Sequence, residues 1–314
     1  MKKSQQRKGF TLVEILLATT ILAIMTGMIL TMTTQVIQVW DNASGKLSAG
    51  NEAQLALELM SQDLETAIFQ NDGREWLHIS LETGVGEGSW TAPAAAHLMF
   101  FATARDSLAR VDPDDATQMP GGISAVSYRL GFRDPFQNSA SGPHRRFGLF
   151  RAALPPDVTF RQGMTAETQQ DIQTFIWQSG QAGQWGDLAG DGGSMSPRDW
   201  SYDVANLLAN HVIRFEIRLE YLDRFGNLQS VRVGEGGAGQ VRMRGDVLEV
   251  DGESRQIGQM VSGELRLTVL TEKGAAVIRR ETDDISENDL GGDLDLVIAQ
   301  EGEVFSRKVR FADS

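Results

Sequence analysis

The sequence lacks cysteine altogether and contains only four histidines among its 314 residues. Without cysteine there is no disulfide, no thiol nucleophile and no sulfur-ligated metal. The histidines are His78, His97, His144 and His211, and no two are spaced like the metal ligands of a helix or hairpin. No acid–histidine–nucleophile arrangement can be named from the sequence either. We therefore expect no zinc centre and no catalytic residues, and we expect the protein not to be an enzyme.

Basic residues are outnumbered by acidic ones. Lys and Arg total 29 against 42 Asp and Glu, which gives a formal net charge of −13. Four of the cations, Lys2, Lys3, Arg7 and Lys8, lie in the first nine residues, so the remainder carries −13 − 4 = −17. This balance argues against nucleic acid or an anionic lipid surface as a general partner.

Proline is absent before Pro93, so no residue of that type interrupts a helix near the N-terminus. Residues 10–30 contain one charged side chain, Glu14, and about 20 apolar residues suffice to span a bilayer as a helix. The preceding cations place the N-terminus in the cytoplasm and the remainder outside it, by the positive-inside rule. A secretory signal peptide has a shorter apolar region and a small-residue cleavage site. We therefore predict a single transmembrane segment over residues 10–30.

A helical pattern continues beyond the apolar segment. Leu57, Met60, Leu64 and Ile68 recur at spacings of three or four residues, which is typical of an amphipathic helix. The sequence therefore predicts one helix over roughly residues 10–69, with an amphipathic continuation over 31–69. The stretch "DNASG" could loosen or interrupt this helix.

The N-terminal stretch "KGFTLVEILLATTILAIM" resembles the class III signal of type IV prepilins and type II secretion pseudopilins. Their pattern is a basic leader, then Gly, then Phe-Thr-Leu-(Val/Ile)-Glu and an apolar helix, and it is matched without a gap from Gly9 to Glu14. The resemblance implies that prepilin peptidase removes leader residues 1–9 and that Phe10 becomes the N-methylated first residue. It also implies that Glu14 acts in filament assembly by pairing with the N-terminal amine of a neighbouring subunit.

A physical argument supports this role for Glu14. A carboxylate and an ammonium group buried among helices stabilise each other, and only one register satisfies both. In the alternative interpretation, the segment is a signal anchor and Glu14 is protonated or extends to the membrane interface.

The rest of the chain predicts mainly strands. Short apolar runs indicate strands at 97–104, 123–132 and 146–152. The strictest alternation covers 211–223, and "DRFGNL" is expected to turn that strand into a second one. We expect a further hairpin over residues 263–278 that turns at Lys273 and Gly274. Two segments, "LDLVIA" and "VFSRKVRF", are expected to close the sheet.

The predicted order of elements is an α+β, pilin-like fold. A long N-terminal helix, transmembrane at its start, would pack on an antiparallel β-sheet in an exported domain of residues 70–314. Residues 163–203, rich in Gln, Gly, Ser and Asp, are expected to form a loop insertion in this domain.

Three stretches of this domain resemble the J-type minor pseudopilin of type II secretion. They are "VSYRLGF…FGLFRA", "HVIRFEIRLEYLDRFGNLQ" and "GELRLTVLTEKG". The chain is longer than usual for that family. In this respect it is similar to the expanded pseudopilin-like families of Verrucomicrobia and Planctomycetes.

Two further motifs could hold a ligand. "GEGGAG" at 234–239 has the spacing of a dinucleotide-binding loop, but it follows a hairpin strand and precedes "QVRMRGDVLEV", so we expect a loop without cofactor. The segment 281–296 carries carboxylates that could bind calcium, although their spacing is not that of an EF-hand and such a run is usually a solvated acidic face. The calcium candidates are Asp283, Asp284, Glu287, Asp289, Asp293 and Asp295.

Together these observations predict a non-enzymatic, minor pseudopilin-like subunit of a type II secretion pseudopilus. It would cross the inner membrane once and place its C-terminal domain in the periplasm. The resemblance implies prepilin peptidase, other minor and major pseudopilins and an inner-membrane assembly platform as partners. The alternatives are a minor pilin of a type IV pilus, serving adhesion or DNA uptake, and a membrane-anchored periplasmic enzyme.

Overall fold

The structure is a computed structural model, and it describes most of the chain outside its first ten residues and several internal segments. The described residues are 11–70, 74–87, 90–103, 122–134, 136, 144–153, 156, 159, 206–283 and 294–311. The predicted leader 1–9 and the predicted insertion 163–203 lie outside the described residues. The chain divides into two compact units, Met1–Leu47 and Ser48–Ser314.

One helix of 54 residues, α1, runs from Leu12 to Glu65 without a break at "DNASG". It ends before the predicted residue 69 because the next residues join the sheet. Ala67 forms a β-bridge with Ala102, and the Ile68 N–H donates to the Phe101 carbonyl at 2.8 Å. Competition from sheet pairing therefore ends the helix, although the apolar spacing continues to Ile68.

Short strands make up most of the second unit. They are β1 (Glu75–Glu82), β2 (Gly86–Glu87), β3 (Trp90–Thr91), β4 (Ala94–Ala102), β5 (Ser124–Arg133), β6 (Arg146–Ala153), β7 (Leu207–Asn210), β8 (Val212–Asp223), β9 (Leu228–Val233), β10 (Gln240–Arg244), β11 (Val247–Val250), β12 (Glu253–Leu270) and β13 (Gly302–Arg310). Two helices, α2 (Glu272–Asp283) and α3 (Leu294–Glu301), lie between β12 and β13 in the chain.

Within the described residues, all strands except the β2–β3 pair join one sheet. Its order is β7-β6-β5-β4-β1-β10-β11-β12-β8-β9, with β13 also paired to β12. A short parallel pairing joins β4 to β8 at Ala94–Arg214 and Ala95–Phe215. This pairing closes a ring of β4, β1, β10, β11, β12 and β8. The sheet is therefore barrel-like, and the expected plain antiparallel sheet of a pilin-like fold is corrected.

The long strand β12 makes this closure possible. Its first residues pair with β11, and its later residues pair with β8 on one edge and β13 on the other. The register with β8 shifts at three places, including Ile257–Gln259 and Met260–Ser262. Such irregularities bend a strand and increase its twist, which lets one strand serve two parts of a curved sheet.

The core lies between the second part of α1 and the sheet. Leu57, Met60 and Leu64 are buried as predicted, and Ala53 and Ala56 are also fully buried. In β8, Phe215 and Ile217 are buried on the inner face as predicted, but Glu216, which was predicted to face water, is also buried.

The predicted hairpin over 263–278 is wrong. Residues up to Leu270 belong to β12, and Lys273 and Gly274 lie in the first turn of α2. Thr271 caps this helix: its carbonyl accepts from the Ala275 N–H at 2.9 Å and its hydroxyl oxygen from the Gly274 N–H at 3.3 Å.

The expectation that "LDLVIA" forms a strand is also wrong, because these residues lie in helix α3. "VFSRKVRF" does lie in strand β13 except for Phe311, and β13 pairs with β12 along the whole length of β13.

Candidate functional site

The start of α1 has its own hydrogen-bonded cap. The Thr11 hydroxyl oxygen accepts from the Glu14 N–H at 3.3 Å, and the Thr11 carbonyl accepts from the Glu14 and Ile15 N–H groups. Thr11 and Glu14 are three residues apart, which is the spacing of a capping box. Glu14 also lies in the first turn, where the helix dipole favours a negative charge. An exposed acid at this position therefore agrees with helix formation.

The helix that follows is apolar on all sides. Residues 15–40 carry no charge, and every residue from Leu12 to Trp40 is exposed. The large apolar side chains among them are between 50% and 79% exposed. A helix of a soluble domain usually buries an apolar stripe. A surface that is apolar on all sides is instead typical of a helix surrounded by lipid or by other protein chains.

The hydroxyl groups of this segment are satisfied within the helix. Six threonine side chains donate to carbonyl oxygens three or four residues earlier: Thr19, Thr20, Thr26, Thr31, Thr33 and Thr34. In hydrocarbon there is no water to bind such groups, so internal bonding is required. By length and composition, α1 is apolar enough to cross a membrane.

The N-terminal residues match one family model. Residues 4–30 match the prokaryotic N-terminal methylation motif. The chain carries a type IV prepilin-like signal. The match covers Gly9, Phe10 and Glu14 and ends at Leu30, within the exposed apolar part of α1. Neither a curated protein nor a solved structure matches the chain.

This prepilin-like motif indicates a precursor of the pilin and pseudopilin type. It implies processing by a prepilin peptidase and assembly with other pilins. The proposed cleavage residues Gly9 and Phe10 lie outside the described residues, so their placement rests on the sequence. Glu14 is described, with its side chain exposed at the start of α1.

The second unit contains a row of hydrogen-bonded acid, histidine and serine side chains that sequence reasoning missed. His97 Nδ1 lies 3.0 Å from Glu82 Oε1, and His97 Nε2 lies 3.1 Å from Ser127 Oγ. Arg129 also pairs with Glu82, at 3.2 Å. Glu82, His97 and Ser127 come from β1, β4 and β5. Only knowledge of how these strands pair could have grouped them.

The protonation of this row of side chains follows from its burial. Burial lowers the pKa of His97, although the Glu82 carboxylate acts in the opposite direction. Burial would raise the pKa of Glu82, but the hydrogen bond from His97 and the charge of Arg129 hold it below its usual range. The neutral ring of His97 can then donate to Glu82 and accept from Ser127. Ser127 has no exposed surface, so its hydroxyl oxygen is not accessible at the protein surface.

The other histidines also have local partners. His78 Nδ1 lies 2.7 Å from the buried carboxylate of Glu75, and His211 Nε2 lies 3.0 Å from Glu272. The His144 ring lies edge-on to Phe136. Within the described part of the chain, no group of three or more His, Cys, Asp or Glu residues is placed to hold a metal ion.

Most of the calcium candidates cannot be placed. Asp284, Glu287, Asp289 and Asp293 lie outside the described residues, Asp283 is described by its backbone alone, and Asp295 is exposed in the first turn of α3. Calcium binding therefore stays a prediction.

The glycine-rich stretch 234–239 connects β9 to β10, two strands that each pair antiparallel with other strands of the sheet. Gly236 has a φ of 66°, and the Gly237 N–H donates to the Gly234 carbonyl at 3.0 Å. The stretch does not open a helix, so it lacks the helix N-terminus on which a dinucleotide phosphate would lie.

Proposed function

We propose that the protein is a minor pseudopilin-like structural subunit of a type II secretion pseudopilus. A prepilin peptidase would cleave it between Gly9 and Phe10, and it would assemble through α1. The observation that carries this proposal is the methylation motif, which leads directly into a helix that is exposed and apolar on all sides.

The charges set the proposed orientation. Lys2, Lys3, Arg7 and Lys8 precede the apolar helix and would stay in the cytoplasm, whereas the second unit would lie in the periplasm. In this arrangement the protein crosses the inner membrane once. The net charge of −17 after loss of the leader agrees with protein partners rather than nucleic acid.

Glu14 is the proposed residue of assembly. It is the only charge between Phe10 and Trp40, so a neighbouring N-terminal amine that enters the same apolar layer would meet one possible partner. A buried carboxylate left without that partner is strongly unfavourable. The pair would therefore fix how far one subunit lies along the next.

The proposed partners are prepilin peptidase, other minor and major pseudopilins and the inner-membrane assembly platform. The J-type resemblance of the β5–β6 and β8–β9 segments supports a minor, non-enzymatic subunit. The methylation motif is common to pilins and pseudopilins, so it supports equally a minor pilin of a type IV pilus.

The test of this proposal is the substitution Gly9→Ala in the full-length protein in its host membrane. We expect the precursor to accumulate with its leader attached and to be missing from cross-linked or sheared filaments. Gly27→Ala is the matched control, because a Cβ at Gly27 would meet no atom within 4 Å and the substitution leaves Gly9, Phe10 and Glu14 intact. Full assembly of uncleaved Gly9→Ala would contradict the proposal.

A further inference from the structure

A buried acid on α1 meets two donors on the sheet. Tyr128 Oη donates to Asp63 Oδ2 at 2.5 Å, and Arg151 Nε donates to the same oxygen at 2.8 Å. Arg151 Nε also lies 3.1 Å from Tyr128 Oη. The side chains of Asp63 and Arg151 are only 7% and 10% exposed, and Tyr128 is fully buried. These three residues are called the anchor cluster below.

Contacts within the sheet position both donor side chains independently of the helix. Tyr128 on β5 and Arg151 on β6 are direct partners in the antiparallel register. The Tyr128 ring also stacks on Phe100 of β4, with ring centres 6.4 Å apart and planes 11° from parallel. Burial and the neighbouring carboxylate raise the pKa of Tyr128, so its hydroxyl remains a donor. The strands therefore present two fixed hydrogen-bond donors to a carboxylate on the helix.

A second directional contact of this part of α1 is at Glu52, whose carboxylate accepts from the Asn210 backbone N–H at 2.8 Å. The apolar contacts and the exposed ion pair of the same part are less directional. Ala53, Ala56 and Met60 are fully buried, but apolar burial carries little orientational preference. Glu58 pairs with Arg307, and both side chains are more than 40% exposed, where ion pairs contribute little. Asp63 differs because a buried carboxylate must face its donors, and a slip of one residue rotates a helix by about 100°.

We propose that the anchor cluster is a positioning site that sets the rotation of the last part of α1, residues 48–65, against the sheet of the second unit. It thereby fixes which helix face, marked by the exposed Leu55, is offered to the neighbouring subunit. This inference rests on the proposed function, since it concerns assembly through α1. It assigns a role to Asp63, Tyr128 and Arg151, which lie outside the residues matched by the methylation motif.

The test uses the absence of cysteine from the chain. Leu55→Cys and Gln54→Cys place a thiol at two exposed positions about 100° apart around the helix. Each is made in the full-length protein and cross-linked to neighbouring subunits in the host membrane. With the anchor cluster intact, we expect the two positions to cross-link unequally.

Tyr128→Phe removes only the hydroxyl and keeps the stacked ring, and Asp63→Asn removes the charge. We expect Asp63→Asn to abolish the difference between the two cysteine positions. We expect Tyr128→Phe to reduce this difference while protein level and protease resistance stay unchanged. Arg151→Lys keeps the cation and should retain part of the difference. Arg307→Gln is the control, because it breaks an exposed ion pair between β13 and the same part of α1 and should leave the pattern intact.

The outcomes distinguish failure of the proposed function from failure of the positioning role. If neither cysteine cross-links to another subunit in the unaltered background, the proposed function fails. If both Tyr128→Phe and Asp63→Asn leave the cross-linking pattern unchanged, the positioning role is wrong and the function stands. Should Asp63→Asn fail to accumulate, Tyr128→Phe decides alone, since it leaves the carboxylate paired with Arg151.

Discussion

At the scale of single residues, Glu14 has two physical roles that operate together. Its backbone N–H binds Thr11 at the cap, and its charge lies at the positive end of the helix dipole. Neither role requires a neighbour, so both would hold in an isolated membrane anchor. The assembly role requires the charge to be paired, and this difference can be tested.

Glu14→Gln keeps the size of the side chain and the backbone cap but removes the charge. We expect normal cleavage after Gly9 and loss of the processed chain from filaments, because a neutral amide does not pair with an ammonium group as a carboxylate does. The measurement is the ratio of cross-linked to processed protein on an immunoblot. Glu65→Gln, at the other end of α1, is the control. Wild-type assembly of Glu14→Gln would favour the anchor interpretation.

At the scale of elements, local pattern was sufficient for some segments and misleading for others. The alternation in 211–223 predicts β8 because each inward side chain contacts the core, and the apolar spacing from Leu57 to Leu64 predicts α1 for the same reason. The Lys273–Gly274 pair suggested a turn, but the hydroxyl of Thr271 caps a helix there. Thr271 before Glu272 is a sequence signal for such a cap, but the turn-forming pair Lys273 and Gly274 competes with it.

The hydrogen bonds of His97 make the free energy of unfolding depend on pH. Folded His97 resists protonation, whereas the unfolded chain takes up a proton below about pH 6.5. The free energy of unfolding should therefore decrease as the pH falls below about 6.5. Glu82 has a lowered pKa and adds stability above about pH 4.5, which is lost as the pH falls through its folded pKa.

His97→Gln removes the first of these effects. Thermal unfolding of the detergent-solubilised full chain should show a smaller drop in Tm between about pH 7 and 5 than the wild type shows. Equal drops in the two proteins would mean that folding does not lower the pKa of His97, which would contradict this prediction.

At the scale of the whole molecule, the sequence predicts the order of the helix and strands but not the pairing that closes the sheet into a barrel-like ring. A long apolar helix followed by strands follows from composition and periodicity. The parallel contact of β4 with β8 joins Ala94 and Arg214, which are far apart in sequence, and no local pattern encodes it. The same holds for the anchor cluster, where Asp63, Tyr128 and Arg151 come from three elements. Long-range pairing of strands created both features.

The central claim is that the N-terminal signal is processed and that the mature chain begins at Phe10. The most direct measurement is mass spectrometry of the N-terminal peptide of the protein isolated from its host membrane. The account predicts a chain that begins with N-methylated Phe10 and retains Glu14. A chain that begins at Met1, or one cleaved beyond Leu30, would contradict it.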